Sequence, residues 1–363
     1  MKKNWILYIL LVGLIYACEQ DEDSLQPSYK DIDRVASQVD LSRPIVKRIY
    51  EDYHVGILHE YDDTLDFAYV AQTDDAARLW GQVEIPQISS LFVDEEGNMD
   101  AEGLADYNKY VDDALAFVDT AIFKFFTPGS MIASKLPQKV LISASVYAND
   151  RVNINALTES EARYSRYTDG SLSMVYNVHS IVINVNQDEV TQNTEDFIID
   201  DFYVFLAKVM EMNNLYSLVP EEFYANKLDY YGQEMDAIYR EEMGIDEETS
   251  LSVIDKDWVY SKGFIDAQYF YNSSSGLGTV WERVDGVWVK HYKAFKPTYD
   301  FVPGVGKDVR SYINELLFRN ASEFEAFPEN IQDNLRLIYN LVSGWGVDLM
   351  SLNPDIEVLI TEV

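Results

Sequence analysis

The chain of 363 residues contains a single cysteine, Cys18, which limits how its fold can be held together. One cysteine allows no disulfide within the chain and no zinc site built from cysteines. The folded state must therefore rest on a hydrophobic core. Hydrophobic residues make up 47% of the chain, which provides enough apolar volume for a sizeable core and excludes global disorder.

Acidic side chains strongly outnumber basic ones. The chain has 62 Asp and Glu residues against 28 Lys and Arg residues, a formal net charge of -34. Nucleic-acid binding needs a basic surface that neutralises phosphates, so we expect no nucleic-acid partner. The same excess of carboxylates disfavours adhesion of the folded body to anionic lipids.

The position of Cys18 predicts a lipid anchor. Lys2 and Lys3 form a basic start, Trp5 to Tyr16 is an apolar stretch, and the cysteine follows. A transmembrane anchor is the alternative, but the stretch is shorter than the roughly 20 residues that span a bilayer. We therefore predict a lipoprotein signal peptide over residues 1–17, cleavage before Cys18, and an N-terminal lipid on its thiol as the only attached group.

An acidic run follows the cysteine. Residues 19–24, Glu-Gln-Asp-Glu-Asp-Ser, contain almost nothing to bury, which predicts a solvated tether over residues 18–34. The run resembles the signal that sends lipoproteins of Bacteroidota to the cell surface, and a generic acidic linker is the alternative. We expect a protein anchored by lipid in the outer membrane and facing the cell exterior, with a folded body over residues 35–363.

Hydrophobic periodicity predicts strands early in the body and helices late. The expected strands cover residues 55–61, 67–71, 139–146, 172–185 and 356–363, and the expected helices cover residues 45–52, 104–126, 197–213, 231–242, 309–327 and 331–343. This order indicates an α+β body that can divide into two packed lobes, residues 35–192 and 193–363.

Motifs with known chemistry are incomplete in this chain. His59-Glu60 begins like the helical zinc-protease motif, but Asp63 stands where the second histidine belongs. The segment also alternates like a strand, so metal binding by His59 is the weaker interpretation.

Two other segments resemble ion sites. Residues 94–100 resemble a calcium loop, but the glycine is misplaced and Ala105 occupies the position of the bidentate Glu, which favours a solvated turn. Gly304 to Asp308 resembles a phosphate loop. Its spacing is wrong and Asp308 replaces the Ser or Thr that holds magnesium, so we interpret it as the start of a helix.

Three segments together resemble a known family. They are Tyr50–Tyr61, Leu136–Ile142 and Tyr339–Leu349, the last of which contains Trp-Gly-Val-Asp-Leu. They resemble the first strand, the strand after a long helix, and the last helix of the substrate import-associated zinc metallohydrolases. These are lipoproteins of zincin type, encoded beside SusC/SusD-type TonB-dependent transporters. The resemblance covers residues 41–352 and implies a zincin-like fold with a strand-rich N-terminal part and a helical C-terminal part.

The zinc site is where this chain departs from that family. The family's zinc helix reads His-Glu-x-x-His. In the matching segment here, residues 201–216, Val204 replaces the first ligand, Phe205 the general base and Lys208 the second ligand. Valine and phenylalanine neither coordinate zinc nor accept a proton, and an ammonium repels a divalent cation. We therefore expect no metal and no catalytic residue, which makes the protein a pseudoenzyme.

Lys208 has two alternative roles in this interpretation. Its side chain can extend to solvent, as lysine usually does. Alternatively, its ammonium occupies the former metal position and pairs with a carboxylate such as Glu211, because a buried lysine needs a partner.

The sequence favours a non-catalytic accessory or binding subunit of an outer-membrane complex, such as a SusC/SusD-type importer. The alternative is a hydrolase with a relocated or metal-independent site that acts on peptides or glycans. The first hypothesis is preferred because the positions that the zinc mechanism requires have changed while the surrounding pattern of the resembled family remains.

Overall fold

The computed structural model describes residues 35–67, 83–148, 173–177, 179–186, 190, 195–246, 248–249, 254–265, 268–269, 279–284, 287–292 and 300–361. Residues 39–363 form one compact unit. Residues 1–38 form another, of which residues 35–38 are described and make a turn. The predicted signal peptide, Cys18 and the acidic tether lie outside the described residues.

Helices and strands both contribute to the body, which confirms the α+β class. The helices are α1 (Pro44–Tyr53), α2 (Asp63–Asp66), α3 (Ala101–Ala121), α4 (Glu195–Met212), α5 (Glu221–Tyr224), α6 (Met235–Met243), α7 (Lys256–Ser261), α8 (Val305–Phe318), α9 (Ala321–Glu325), α10 (Glu329–Gly344), α11 (Leu349–Leu352) and α12 (Glu357–Ile360). The strands are β1 (Gly56–Leu58), β2 (Val83–Glu84), β3 (Lys139–Ser143), β4 (Tyr147–Ala148), β5 (Met174–Tyr176), β6 (Ser180–Asn184), β7 (Gln268–Tyr269), β8 (Thr279–Val284), β9 (Val287–Tyr292) and β10 (Asp300–Phe301).

A mixed sheet forms the centre of the N-terminal half. Its order is β1-β3-β6-β5, with the first three strands parallel and β5 antiparallel to β6. Every residue of β6 is buried, and so is every residue of β3 after Lys139. Parallel strands are normally covered on both faces, which explains why these two are continuous apolar runs in the sequence.

Helix α3 lies in the connection between the parallel neighbours β1 and β3. Parallel strands need such a crossover because a tight turn joins only antiparallel strands. The carboxylate of Asp100 begins the helix by accepting a hydrogen bond from the backbone N–H of Gly103 at 2.8 Å. Apolar residues then recur every three or four positions and are buried along one side: Tyr107, Val111, Ala114, Leu115, Val118 and Ala121.

The C-terminal half is mainly helical around α8, which packs against both α4 and α10. Its buried face includes Val309, Tyr312, Ile313, Leu316 and Leu317. Gly304 is the N-cap residue of α8, so the interpretation of the glycine-rich segment as the start of a helix is confirmed. Within the described part of the chain, no helix is long and apolar enough to cross a membrane.

Backbone hydrogen bonds join the end of α10 to the segment that follows α3. The N–H of Thr127 donates to the carbonyl of Gly346 at 2.8 Å, and the N–H of Asp348 donates to Phe125 at 2.8 Å. Gly346 has a φ of 101°, and a Cβ there would lie 2.3 Å from the Cβ of Ser130. Only glycine fits this position, so the Trp-Gly-Val-Asp sequence connects the two halves of the body.

Several predicted elements differ in the structure. Of the strand expected over residues 356–363, the described residues 356–361 do not form one: Asn353 and Pro354 begin a 3-10 helix that continues into α12. The expected helix over residues 309–327 is two helices, because Asn320 caps the new helix α9 with its side chain. Of the strand expected over residues 67–71, only Phe67 is described, and it lies in a bend.

The structure also contains a hairpin that the sequence analysis missed. Strands β8 and β9 pair antiparallel, with Trp281 opposite Lys290. The connecting residues in the sequence are Asp285-Gly286, a pair typical of two-residue hairpin turns, and both flanking segments are rich in valine and tryptophan.

Candidate functional site

The three positions that the resemblance assigns to the zinc centre lie on helix α4, as predicted. Phe205 is fully buried. The centre of its ring lies 6.0 Å from that of Phe123 and 6.0 Å from that of Phe126. Tilted and edge-on ring pairs at this distance are favourable. The position that the resemblance assigns to the general base is therefore part of the hydrophobic core.

Lys208 lies one turn after Val204, and both side chains are half-buried. The Nζ atom of Lys208 lies 4.5 Å from the centre of the Tyr176 ring on strand β5. A cation above an aromatic face is attracted by the ring. The lysine therefore contacts the edge strand of the mixed sheet.

A small polar cluster surrounds this contact and joins β5, α4 and α8. The carboxylate of Glu211 lies 3.7 Å from the guanidinium of Arg310. Burial, reinforced by the negative charge of Glu211, raises the pKa of Tyr176. The nearby ammonium and guanidinium disfavour a divalent cation at this position.

No metal-binding group is formed by the described residues: nowhere among them do three or more His, Cys, Asp or Glu side chains converge to hold an ion. The expectation that the chain binds no metal stays a prediction.

In residues 94–100, the segment that resembles a calcium loop, the carboxylate of Asp94 is bonded to nearby backbone groups. It accepts hydrogen bonds from the N–H groups of Glu96 at 3.1 Å and Asn98 at 2.7 Å. Such bonds are typical of a turn.

His59 lies directly after strand β1 and is buried in a hydrogen-bonded group. Its Nδ1 atom lies 2.8 Å from the hydroxyl of Tyr107, which donates to the carboxylate of Glu60 at 3.0 Å. Because the phenol hydrogen points to Glu60, Nδ1 carries the imidazole proton and donates to the phenol oxygen. The Nε2 atom lies 3.8 Å from the carboxylate of Asp40.

His59 should make the stability of the body depend on pH. Burial lowers its pKa below the usual 6.5, so the unfolded chain takes up the proton first. The stabilising contribution is therefore complete above pH 6.5 and is lost as the pH falls toward the pKa of the folded state. Urea unfolding from about pH 7.5 to about pH 5 should show a larger loss for the parent than for His59→Asn. Equal losses in the two proteins would contradict this role.

Lys227 and Asp308 form a second site, which the sequence analysis did not predict. Lys227 follows helix α5, and Asp308 lies in the first turn of α8. The Nζ atom lies 3.0 Å from the Oδ2 atom of Asp308, and the two side chains are 1% and 0% exposed. The hydroxyl of Tyr231 donates to the same Oδ2 atom at 2.8 Å.

Aromatic rings enclose the ammonium of Lys227. Its Nζ atom lies 3.5 Å from the ring centre of Phe223, 4.5 Å from that of Tyr312 and 5.4 Å from that of Phe264. Gly263 completes the wall, since a Cβ on it would lie 3.0 Å from the Cε atom of the lysine. We call Lys227, Asp308, Tyr231 and these three rings the lysine cage. It excludes water from both charged groups.

Burial changes the acid–base properties of the lysine cage. It lowers the pKa of Lys227 to about 8, although the carboxylate of Asp308 opposes this shift. It raises the pKa of Asp308 against the opposing effects of Lys227 and Tyr231. Both changes favour the neutral forms, an amine and a carboxylic acid, because charged groups lose hydration on burial.

Nothing in the linear sequence pairs Lys227 with Asp308. They lie 81 residues apart. In the sequence, Asp308 is notable only as part of the segment that resembles a phosphate loop. A weak signal was the number of aromatic residues near both positions, among them Phe223, Tyr231 and Tyr312. Aromatic residues are common in any large core, so this signal does not identify a lysine site.

Comparison with known protein families, with curated proteins and with solved structures finds no match to this chain.

Proposed function

We propose that the protein is a lipid-anchored, surface-exposed accessory or binding subunit of an outer-membrane complex, built on a zincin-type scaffold that has lost its catalytic centre. The observation that carries the proposal is the burial of Phe205 between Phe123 and Phe126. A base that activates water must reach a solvated site, and this position is filled by a ring in the core.

The zincin-type scaffold is supported by the three segments that carry the resemblance. Tyr50–Tyr61 contains strand β1, and Leu136–Ile142 overlaps strand β3, which follows the long helix α3. Tyr339–Leu349 contains the end of α10 and the Trp-Gly-Val-Asp sequence that bonds to the segment after α3. Each segment therefore contains an element of the type that the resemblance predicts, although residues 50–53 belong to helix α1 and two short helices follow α10.

The partner follows from the proposed location. A signal peptide, Cys18 and an acidic run are features of a surface lipoprotein. The resembled family is encoded beside SusC/SusD-type transporters, so we propose such a transporter as the partner. The net charge of -34 disfavours direct adhesion to anionic lipids, which leaves the lipid anchor and a protein partner to hold the body at the membrane.

Affinity purification of the full chain from detergent-solubilised outer membranes tests this function. Mass spectrometry should identify subunits of a TonB-dependent transporter as the enriched proteins. The purified chain should contain no stoichiometric zinc and should show no chelator-sensitive peptide hydrolysis, because the zinc ligands are replaced. About one zinc ion per chain, or hydrolysis that a chelator abolishes, would refute the proposal.

The variant Cys18→Ala separates the anchor from the body. Without the thiol the precursor should stay uncleaved or the protein should leave the outer membrane, and the transporter subunits should no longer co-purify. The folded body is unchanged in this variant, so its circular dichroism and melting temperature should match those of the parent. Labelled palmitate on the Ala variant would contradict the assignment of Cys18 as the lipid site.

A further inference from the structure

The lysine cage places an amine against a carboxyl group in a water-free aromatic enclosure. The Nζ atom of Lys227 and the Oδ2 atom of Asp308 are 3.0 Å apart, and neither side chain is more than 1% exposed. We propose that these two side chains condense after folding to form an intramolecular amide, or isopeptide, bond. This modification is independent of the proposed function.

The reaction is a balanced condensation. The neutral amine of Lys227 attacks the Cγ atom of the protonated carboxyl group of Asp308, and a C–N bond forms. The nitrogen loses one hydrogen, the carboxyl group loses its Oδ1 hydroxyl, and the two leave together as water. No oxidant, reductant or further reactant is needed, and the chain becomes lighter by one water molecule.

The surroundings favour this reaction in two ways. The neutral amine and acid are the reactive forms. Burial lowers the pKa of Lys227 and raises that of Asp308, and each shift favours the neutral form of its group. The enclosing rings of Phe223, Tyr312 and Phe264 keep water out, which opposes hydrolysis of the amide. Proximity adds to both effects, since two groups held in contact react as if at very high concentration.

The two oxygens of Asp308 have different surroundings, which identifies the one that leaves. Oδ2 accepts the hydrogen bond from Tyr231 at 2.8 Å. Oδ1 is buried and has no hydrogen-bond partner among the described residues. A buried oxygen without a partner is costly. Loss of Oδ1 as water removes this atom, whereas Oδ2 remains as the amide oxygen and keeps the phenol donor that stabilises negative charge during the attack.

The bond would join two parts of the chain that are far apart in sequence. Lys227 and Asp308 are separated by 81 residues, so the amide would close a long loop and tie the segment after α5 to helix α8. Cross-links of this kind restrict the unfolded chain. For a protein at the cell surface, the expected benefit is resistance to unfolding and proteolysis.

Tryptic peptide mapping of the folded full chain tests the proposal directly. Trypsin does not cleave after an acylated lysine. A branched peptide should therefore appear in which residues 209–240 are joined to residues 308–310, with the mass of both peptides less one water. Fragmentation should place the link at Lys227 and Asp308. Recovery of residues 209–227 and residues 308–310 as separate peptides from the folded chain would overturn the proposal.

Three controls make the result specific. Chain kept unfolded in urea should give the separate peptides, and the branched peptide should appear only after refolding. The partly exposed pair Lys262 and Glu242, whose Nζ and Oε2 atoms are 2.6 Å apart, should give no branched peptide because water reaches it. Hydroxylamine should leave the link intact. This distinguishes the amide link from a succinimide, whose formation also lowers the mass by one water but which hydroxylamine opens.

The variant Tyr231→Phe tests the part of the proposal that concerns the phenol. It retains both reacting side chains and the aromatic ring but removes the hydrogen bond to Oδ2. The branched peptide should form at least tenfold more slowly during refolding than in the parent, as expected for loss of one donor to a developing negative charge. Formation at the parental rate would overturn the role of Tyr231, and Lys227→Arg should form no branched peptide.

Discussion

Replacement of Lys227 by methionine should destabilise the body by about 3–5 kcal/mol, because it leaves the carboxyl group of Asp308 buried without the partner that Lys227 provides. The loss should be smaller at acid pH, since burial already raises the pKa of Asp308 and a protonated carboxyl group is tolerated better. Urea unfolding at neutral and at acid pH measures both effects.

The double variant Lys227→Met/Asp308→Leu is the decisive comparison. It removes both charges and fills the lysine cage with apolar side chains, so it should be more stable than Lys227→Met alone. Neither variant can form the amide, so their difference in stability isolates the effect of the buried carboxyl group. Lys262→Met is the control at a partly exposed pair and should cost no more than about 1 kcal/mol. A double variant as unstable as the single one would show that the buried charge is not the cause.

Phe205→Ala should cost about 3–5 kcal/mol, the usual loss when a fully buried phenylalanine is truncated. The reason is the position of the ring, which is 0% exposed and packs against Phe123 and Phe126. Phe205→Glu should be more damaging still, because a carboxylate placed in this cluster has no partner. Thermal melts followed by circular dichroism measure both variants.

Lys208→Met is the control for this prediction on the same helix. Lys208 is half-buried, and its contact with the Tyr176 ring is a cation–π interaction worth about 1 kcal/mol. Its loss should therefore be clearly smaller than that of Phe205→Ala. If Lys208→Met destabilised the body as much as Phe205→Ala does, Lys208 would hold a structural position equivalent to a core residue.

Much of the fold could be predicted from local patterns. The alternation before Tyr61, the apolar runs at β3 and β6, and the helical spacing along α3 each led to the right type of element. Local patterns failed where the end of a helix or strand depends on a capping side chain or on a segment that is distant in sequence. Asn320 divides the helix predicted over residues 309–327, and Asn353 caps a 3-10 helix that leads into the segment predicted as the last strand.

The sequence predicted the position of the zinc-like residues on helix α4, but it did not predict the neighbours of His59. Val204, Phe205 and Lys208 came from the resemblance to a helical motif, and their placement on α4 was predictable because they lie within five residues of one another. His59 was considered as a metal ligand, yet its neighbours Tyr107 and Asp40 come from other segments. Contacts between distant segments produce no fixed residue spacing that could be recognised in a single sequence.

By itself, the sequence determined the charge of -34, the absence of a disulfide within the chain and the α+β class. These properties follow from residue identity and from short-range periodicity. Only the tertiary structure decided that Lys227 is fully buried whereas Lys208 is half-buried, and that the partner of Lys227 is Asp308. The physical reason is that the desolvation of a charge, its pKa and its partner depend on the side chains that surround it. Folding brings these together from three separate segments of the chain.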